Sequence, residues 1–332
     1  MLAARDFRQA LRSRCKSMMQ SNANNFSGTE LTNKADDFQR PTQLPCDEAQ
    51  RSEWQSINRM WWEATPMRYD WREPLTAPAG TKAYFEEIDS RFLSSVYKYM
   101  PWNSIPFETL IAFEELGDKD VLEIGIGLGT HAQLLSPYCK SFTGIDLTET
   151  ASALTAQRLR LFGLSGRALQ MDAENMQFTS NSFDYIWSWG VIHHSADTRR
   201  ILAEMKRVLR PGGTATVMVY HRSWWAYYVG ALVRGVFRGQ LKTYGNLHKV
   251  AQAATDGAIA RYYTATEWRE ISTGLFDIES IRIYGLKAEI LPLPPGKLKR
   301  LLERVIPDAL GRLLTNHFRL GSFLVAEMCR AP

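Results

Sequence analysis

The pattern of apolar and polar positions changes character along the 332-residue chain. From residue 119 onward, short apolar runs alternate with longer amphipathic segments, which predicts βαβ units and a mostly parallel sheet with helices on both faces. The fold class is therefore α/β. The predicted strands are 121–124, 142–145, 168–171, 183–187, 214–219, 278–284 and 322–328, and the predicted helices lie near 131–135, 148–162 and 198–209.

The remainder of the chain divides into a tail, a cap and two insertions. Residues 1–50 are polar, which is typical of a disordered tail. Residues 51–117 are crowded with Trp, Tyr and Phe in a helical pattern broken by prolines, and we predict a helical aromatic N-terminal cap. The core domain then covers 118–332, with lid insertions at 221–263 and 286–320. The second insertion contains a basic amphipathic helix.

Composition and charge narrow the classes of function. The chain is 45% hydrophobic and 23% charged, as in an ordinary globular protein. Its net charge of +5 permits nucleic-acid binding without requiring it, because Lys and Arg are spread along the sequence. Four cysteines lie far apart without metal spacing, which favours free thiols in a reducing compartment and a cytoplasmic location.

The longest apolar run and the start of the chain bear on membrane insertion and on targeting. The apolar run from Trp224 to Val233 is stopped by Arg234 and is shorter than the ~20 residues that span a bilayer. The arginine-rich start has no apolar core, so it is not typical of a secretory signal. A transit peptide and a disordered tail both fit that start.

A glycine-rich loop follows the first strand of the core. The strand carries Glu123 near its end and is followed by Gly125, Gly127 and Gly129. Glycine permits positive φ and lets a ligand lie close to the backbone. A dinucleotide fingerprint needs its third glycine one residue later, where Thr130 stands, and a phosphate-binding P-loop needs a following Lys-Ser/Thr pair. A chance glycine-rich turn is the alternative.

This loop resembles motif I of the class I S-adenosylmethionine (SAM) dependent methyltransferases, whose pattern is Glu/Asp-x-Gly-x-Gly-x-Gly. The resemblance is strong over residues 119–220 and faint over the cap and insertions. It implies a Rossmann-like seven-stranded mostly parallel sheet, to which this chain adds the cap and insertions. It also implies SAM as the cofactor, bound by Glu123, Gly125, Gly127 and Gly129.

Two further acidic residues follow predicted strands. Asp146 comes 21 residues after Gly125, where nucleoside-binding α/β folds place the acid that accepts hydrogen bonds from ribose. A helix cap is the alternative, although Thr148 suits that role better. We assign Leu147 to the same site. The resemblance implies that Asp172 binds the adenine amino group beside the backbone of Ala173. A solvated turn acid is the alternative reading of Asp172.

The loop after the fourth strand resembles the ubiquinone/menaquinone-type branch, where Phe-Asp begins the strand and His-x-x-Asp follows it. The resemblance places this loop beside the methionine moiety and the reactive methyl, so that Ser188, Trp189 and His194 are cofactor-binding candidates. His194 with Asp197 has a structural alternative as a helix cap, and His193 faces the acceptor in this interpretation. No well-spaced third ligand is present, so we predict no metal site.

The end of the fifth strand is the expected acceptor side. Tyr220 and His221 stand there, and together with His193 they are our catalytic candidates for positioning or deprotonating a substrate. The aromatic run that begins at Trp224 lines an apolar pocket, lies on a membrane surface, or packs on the cap as a lid. Arg261 pairs either with an anionic substrate group or with a surface acid.

The motifs together predict a SAM-dependent methyltransferase that acts on oxygen or carbon of a small, apolar, aromatic or lipid-like metabolite. The alternatives are an RNA or protein methyltransferase and a non-catalytic SAM-fold binding protein, and Thr130 disfavours a NAD-dependent dehydrogenase. The predicted partner is a small-molecule acceptor rather than nucleic acid, with peripheral membrane contact through Trp224 to Val233. The sequence does not specify the oligomeric state.

Overall fold

A central sheet organises the computed structural model, which describes residues 37–71, 73–293 and 296–331. Its strands follow the order β3-β2-β1-β4-β5-β8-β7, and the two-residue β6 pairs with β5 beside this path. Only β8 runs antiparallel to its neighbours among the described strands. The bounds are β1 (Asp120–Ile124), β2 (Ser141–Asp146), β3 (Arg167–Gln170), β4 (Phe183–Trp189), β5 (Leu209–His221), β6 (Tyr262–Tyr263), β7 (Phe276–Tyr284) and β8 (Phe323–Arg330).

The described helices lie on both faces of the sheet, in the cap and in the two insertions. They are α1 (Glu48–Ala64), α2 (Lys82–Tyr99), α3 (Thr130–Leu135), α4 (Glu149–Phe162), α5 (Thr198–Val208), α6 (Gly230–Phe237), α7 (Gln240–Tyr244), α8 (Leu247–Gln252), α9 (Ala265–Ser272), α10 (Lys297–Val305) and α11 (Asp308–Arg312). Short 3₁₀ helices occupy Phe113–Glu115, Ile192–His194 and Lys287–Ile290, and π-helical turns occupy Trp224–Val229 and Leu313–His317.

The structure confirms the predicted α/β class and its seven main strands, with β6 as a short eighth. The central strands β1, β2 and β4 were predictable because they are buried on both faces, so that each is an apolar run. Val121 and Leu122 point to opposite faces and both are fully buried. One boundary differs, since β5 begins directly after α5 and continues through Gly212 and Gly213 instead of starting after them.

The strand order reverses beside β1, which lies between β2 and β4. Neighbouring chain connections leave in opposite directions at such a point, so a crevice opens at the carboxyl ends of β1 and β4. The cap helices α1 and α2 cover this crevice. The fold therefore places its ligand site between the sheet and the N-terminal cap.

Residues 37–50 belong to this packed structure, although the predicted tail extends to residue 50. Phe38 is fully buried and its ring lies 5.4 Å from that of Trp54. The Tyr262 N–H donates to the carbonyl of Pro41 at 2.9 Å. Residues 1–36 lie outside the described part of the chain. The domain boundaries at 50 and 117 stay predictions.

One buried cation joins the cap to the sheet. Arg158 on α4 is fully buried, pairs with Asp89 on α2, and donates to the Leu128 carbonyl in the glycine loop at 3.0 Å. The hydroxyl of Thr130 donates to the other oxygen of Asp89 at 2.7 Å. The guanidinium also lies over the ring of Phe85, 5.3 Å from its centroid. These contacts fix α2 against the glycine loop.

We expect Asp89→Ala to lower the free energy of unfolding by about 3 kcal/mol, because it leaves the buried guanidinium of Arg158 without its counter-ion. Denaturant unfolding followed by circular dichroism measures the change. Asp118→Ala is the control, since Asp118 makes an exposed pair with Lys119 that contributes less than about 1 kcal/mol. Equal stabilities of the two variants would contradict this assignment.

Candidate functional site

A cavity of about 360 Å³ lies at the carboxyl ends of the central strands, beneath the cap. Nine of the fourteen predicted site residues line it, and they are Gly125, Gly127, Asp146, Leu147, Asp172, Ala173, Trp189, His194 and Tyr220. The other five do not line it, and they are Glu123, Gly129, Ser188, His193 and His221. The site thus combines strand ends that are distant in sequence.

The glycine loop forms one wall of the cavity through two glycines with different surroundings. Gly125 has φ +78°, and a Cβ there would lie 2.2 Å from Cγ2 of Val191. Gly127 has φ +50°, and a Cβ there would meet no atom within 4 Å. Gly125 therefore lets the loop pack against the β4 loop, whereas Gly127 leaves open space for a ligand. Gly129 packs instead against Thr155 of α4.

Asp146 holds the glycine loop from the end of β2. Its Oδ2 accepts from the Gly127 N–H at 3.0 Å, and its Oδ1 accepts from the backbone N–H and hydroxyl of Thr148 at 3.0 and 2.7 Å. Burial raises the pKa of Asp146, while these hydrogen bonds oppose that rise. Thr148 is the N-cap of α4. The helix-cap role, which was the alternative for Asp146, therefore belongs to Thr148.

Glu123 and His131 form a buried pair behind the loop. Oε1 of Glu123 lies 3.6 Å from Nδ1 of His131, which is too long for a hydrogen bond. Burial raises the pKa of Glu123 well above its usual range and lowers that of His131 to about 3, so the contact is not an ion pair. Within the described residues, Oε2 of Glu123 and Nε2 of His131 have no partner. A buried carboxyl oxygen without a partner suits a cationic or donor ligand.

His131 lines the cavity but was not among the predicted site residues. Its sequence signal was its position in the first turn of α3, directly after the glycine loop. Gln55 of the cap was also missed. It donates to Oδ1 of Asp172 at 2.8 Å and accepts from the Ala196 N–H at 3.2 Å. No motif pointed to Gln55, because α1 meets the sheet only through tertiary packing.

His194 faces the cavity with a fixed ring orientation. Its Nδ1 lies 2.6 Å from the carbonyl of Ile259. A carbonyl only accepts, so Nδ1 carries the proton and Nε2 is the basic nitrogen. Burial lowers the pKa of His194 to about 4. Gly257 lies against this ring, where a Cβ would come 2.5 Å from Nδ1, and the ring of Trp62 packs on it at 5.1 Å.

The three predicted catalytic residues occupy different positions. Tyr220 lines the cavity, and burial raises its pKa well above its usual range. His193 is fully buried behind it with ring centroids 4.0 Å apart, and neither nitrogen of His193 has a partner in the described structure. Nδ1 of His221 lies 2.8 Å from the carbonyl of Gly321, away from the cavity. Their catalytic roles stay predictions.

Arg261 donates hydrogen bonds to backbone carbonyls and does not line the cavity. Its guanidinium is fully buried and donates to the carbonyls of Gln43, Ser195 and Ala196. It therefore fixes the loop that follows His194 through three of its five N–H groups. No acid is its ion-pair partner among the described residues, and the pairing with a substrate anion stays a prediction.

The far end of the cavity is apolar and aromatic. Asp256 is a carboxylate at this end, where burial raises its pKa and a hydrogen bond from Trp71 lowers it. The aromatic side chains come from the cap, from Tyr220 and from β8, and they are Trp62, Tyr69, Trp71, Phe92, Tyr99, Tyr220 and Phe323. This arrangement favours an apolar ligand.

Residues 122–217 match the family described as a methyltransferase domain. The chain is 42% identical over 101 residues to the phthiotriol/phenolphthiotriol dimycocerosates methyltransferase of Mycobacterium tuberculosis, covering 30% of this chain and 37% of that protein. It is 31% identical over 123 residues to phosphoethanolamine N-methyltransferase 2 of Caenorhabditis elegans, covering 35% of this chain and 28% of that protein. It is also similar to the solved structure of an S-adenosylmethionine dependent methyltransferase from Mesorhizobium loti, with 18% identity, 65% of this chain and 93% of that chain covered, and a TM-score of 0.43.

The chain thus spans 37% of the length of the mycobacterial relative and 28% of the length of the nematode relative. The family match runs from β1 into β5 and leaves the cap and both insertions outside it. It does not specify the ubiquinone/menaquinone-type branch, which stays a prediction.

We expect Gly125→Ala to cost about 3 kcal/mol of stability, because its Cβ would overlap Val191 at a positive φ. Gly127→Ala should cost only about 1 kcal/mol, since it meets open space and has only the backbone penalty. Thermal unfolding of both variants measures the difference. A Gly127→Ala variant that is the less stable of the two would contradict the loop geometry.

Proposed function

We propose that this protein transfers a methyl group from SAM to a small apolar acceptor, because residues 122–217 match a methyltransferase domain and the motifs resemble those of the class I SAM-dependent enzymes. The observation that carries the proposal is one cavity that runs from the glycine loop at Gly127 to the aromatic side chains of the cap. A donor and an acceptor bound at its two ends would meet beside Trp189 and His194.

The donor end has the chemistry that SAM requires. Asp146 would accept hydrogen bonds from the ribose hydroxyls, and Asp172 from the adenine amino group. Gly127 leaves room for the ligand along the backbone, whereas Glu123 lies behind the loop and would contact the ligand only if the loop moved. SAM supplies a methyl group on a sulfonium, so the chain's own task is to orient the acceptor and exclude water.

The acceptor end indicates an apolar, lipid-like substrate. Its wall is formed by aromatic side chains, and the cap encloses it. A relative that matches part of this chain is named for the methylation of phthiotriol and phenolphthiotriol dimycocerosates, which is consistent with such an acceptor. We propose oxygen or carbon as the acceptor atom, and the nematode relative's name makes nitrogen the alternative to test.

We propose His194 as the base when the acceptor carries a hydroxyl or an acidic carbon. It lines the cavity and holds its Nδ1 proton on the Ile259 carbonyl, so Nε2 is free to take a proton. Tyr220 beside it would position the acceptor. His193 and His221, the other candidates, would need a change of structure to reach the ligand.

The first test measures cofactor binding. Isothermal titration calorimetry should detect SAM binding to the wild type, and Asp146→Ala should weaken it about 10- to 100-fold through lost hydrogen bonds to a charged group. Asp277→Ala is the control, because Asp277 is an exposed residue of β7. Absence of SAM binding to the wild type would overturn the proposed function.

The second test concerns His194. His194→Gln should lower kcat by about 100-fold or more for a hydroxyl acceptor found in a labelled-SAM screen of metabolite extracts. The base must be neutral, so the wild-type rate should fall only as pH drops toward the pKa of about 4. His221→Gln should retain both the rate and this profile. Loss in His221→Gln with retention in His194→Gln would place the base at His221.

A further inference from the structure

An exposed apolar stripe runs along the first insertion. Trp224, Tyr228, Leu232 and Val236 are four residues apart on consecutive helical turns, so they share one face. Their side chains are 60%, 44%, 49% and 63% exposed, and the neighbouring Phe237 is 77% exposed. The opposite face is buried, since Tyr227 and Ala231 pack against Tyr262. This helix therefore presents its large apolar side chains to solvent.

The second insertion repeats this arrangement. Helix α10 has no buried residue, and its apolar stripe of Leu298, Leu301 and Val305 is 61%, 58% and 70% exposed. Leu310, Leu313 and Phe318 continue the exposed apolar surface after it. An amphipathic helix normally buries its apolar stripe, so a stripe that faces solvent indicates an interaction surface.

The two insertions adjoin each other beside the cavity. Both pack on the 3₁₀ helix Lys287–Ile290, because Trp225 Nε1 donates to the Ile290 carbonyl at 3.1 Å and Lys287 Nζ donates to the Ile306 carbonyl at 3.0 Å. Leu286, the residue before this helix, lines the cavity. The exposed apolar residues thus belong to two insertions that meet at this 3₁₀ helix, and together we call them the docking surface. Its members are Trp224, Tyr228, Leu232, Val236, Phe237, Leu298, Leu301, Val305, Leu310, Leu313 and Phe318.

Positive charge is concentrated around the docking surface. Residues 221–255 contain five Lys and Arg without any Asp or Glu, and residues 296–320 contain six Lys and Arg with two acids. The two segments therefore carry a net +9, whereas the whole chain carries +5, so the remaining residues sum to −4. This distribution differs from the even spread of cations that we predicted.

We propose that the docking surface binds an anionic lipid bilayer in its interfacial plane. Trp, Leu, Val and Phe side chains between Lys and Arg are the composition of helices that insert their apolar face at the headgroup boundary. The exposed aromatic residues of this surface could also stack on bases, but the exposed Leu and Val between them would gain nothing from a nucleic acid, and they favour the bilayer. The sequence predicted contact through 224–233 alone, and the structure adds α10 and the segment after it. Delivery of a lipid-like acceptor to the cavity rests on the proposed function, but the docking itself does not.

The test is co-sedimentation of the full chain with vesicles. Wild type should pellet with equal parts phosphatidylcholine and phosphatidylglycerol, and less with pure phosphatidylcholine. Val236→Glu and Val305→Glu should each weaken binding by about fivefold, and their combination by more than tenfold, because each puts an acid at the apolar contact. Leu161→Glu is the matched control, since Leu161 is 37% exposed on α4, outside the docking surface. Arg300→Glu with Arg304→Glu should remove the preference for anionic lipid.

SAM titration of every variant separates this proposal from the proposed function, because the substituted residues do not line the cavity. Lipid binding with no SAM binding would support docking alone. A wild type that stays in the supernatant with anionic vesicles at low salt would overturn the docking proposal. Equal pelleting of Val305→Glu and wild type would overturn it too, as would tighter binding to single-stranded RNA that Val305→Glu leaves unchanged.

Discussion

The buried pairing of Arg158 with Asp89 is the interaction on which the ligand site depends. A guanidinium without access to water needs every donor satisfied, and this one is shared among Asp89, Gln133 and the Leu128 carbonyl. These partners belong to the cap, to α3 and to the glycine loop. A single desolvated cation therefore joins three elements whose residues line the cavity. Thr130, which separates this loop from a dinucleotide fingerprint, joins the same network through its hydroxyl.

Desolvation also sets the charge state of the cavity. It opposes charge on Glu123, His131 and His194 alike. A cation placed beside the buried carboxyl of Glu123 would lower its pKa again, because the attraction favours the charged form. The low dielectric of the enclosed cavity strengthens whatever contacts the ligand makes there.

The cap and the two insertions lie outside the family match, and they supply features of the cavity and of the surface that the matched domain lacks. The cap supplies Gln55 beside Asp172 and aromatic side chains elsewhere in the lining, so it contributes to different parts of the cavity wall. The insertions carry the exposed apolar stripes, and their charge is net positive while the rest of the chain is net negative. Among the described helices, none is long and apolar enough to cross a membrane. A peripheral surface beside the cavity fits a lipid-like acceptor, because the substrate could move between bilayer and cap without crossing water.

The sequence by itself determined the sheet and the donor end of the cavity. Strands that are buried on both faces must be apolar runs, and residues such as Asp146 and Asp172 follow their carboxyl ends directly, so position along the chain fixed position in space. The tertiary structure alone decided which histidine faces the cavity. His193 and His194 are adjacent, and the loop that orients them, from Gly257 to Arg261, lies more than sixty residues further on. For the same reason, the sequence could not predict that Gln55 lines the cavity or which side of α10 is exposed. Periodicity shows that a helix has two faces, but only its packing partners decide which face is buried.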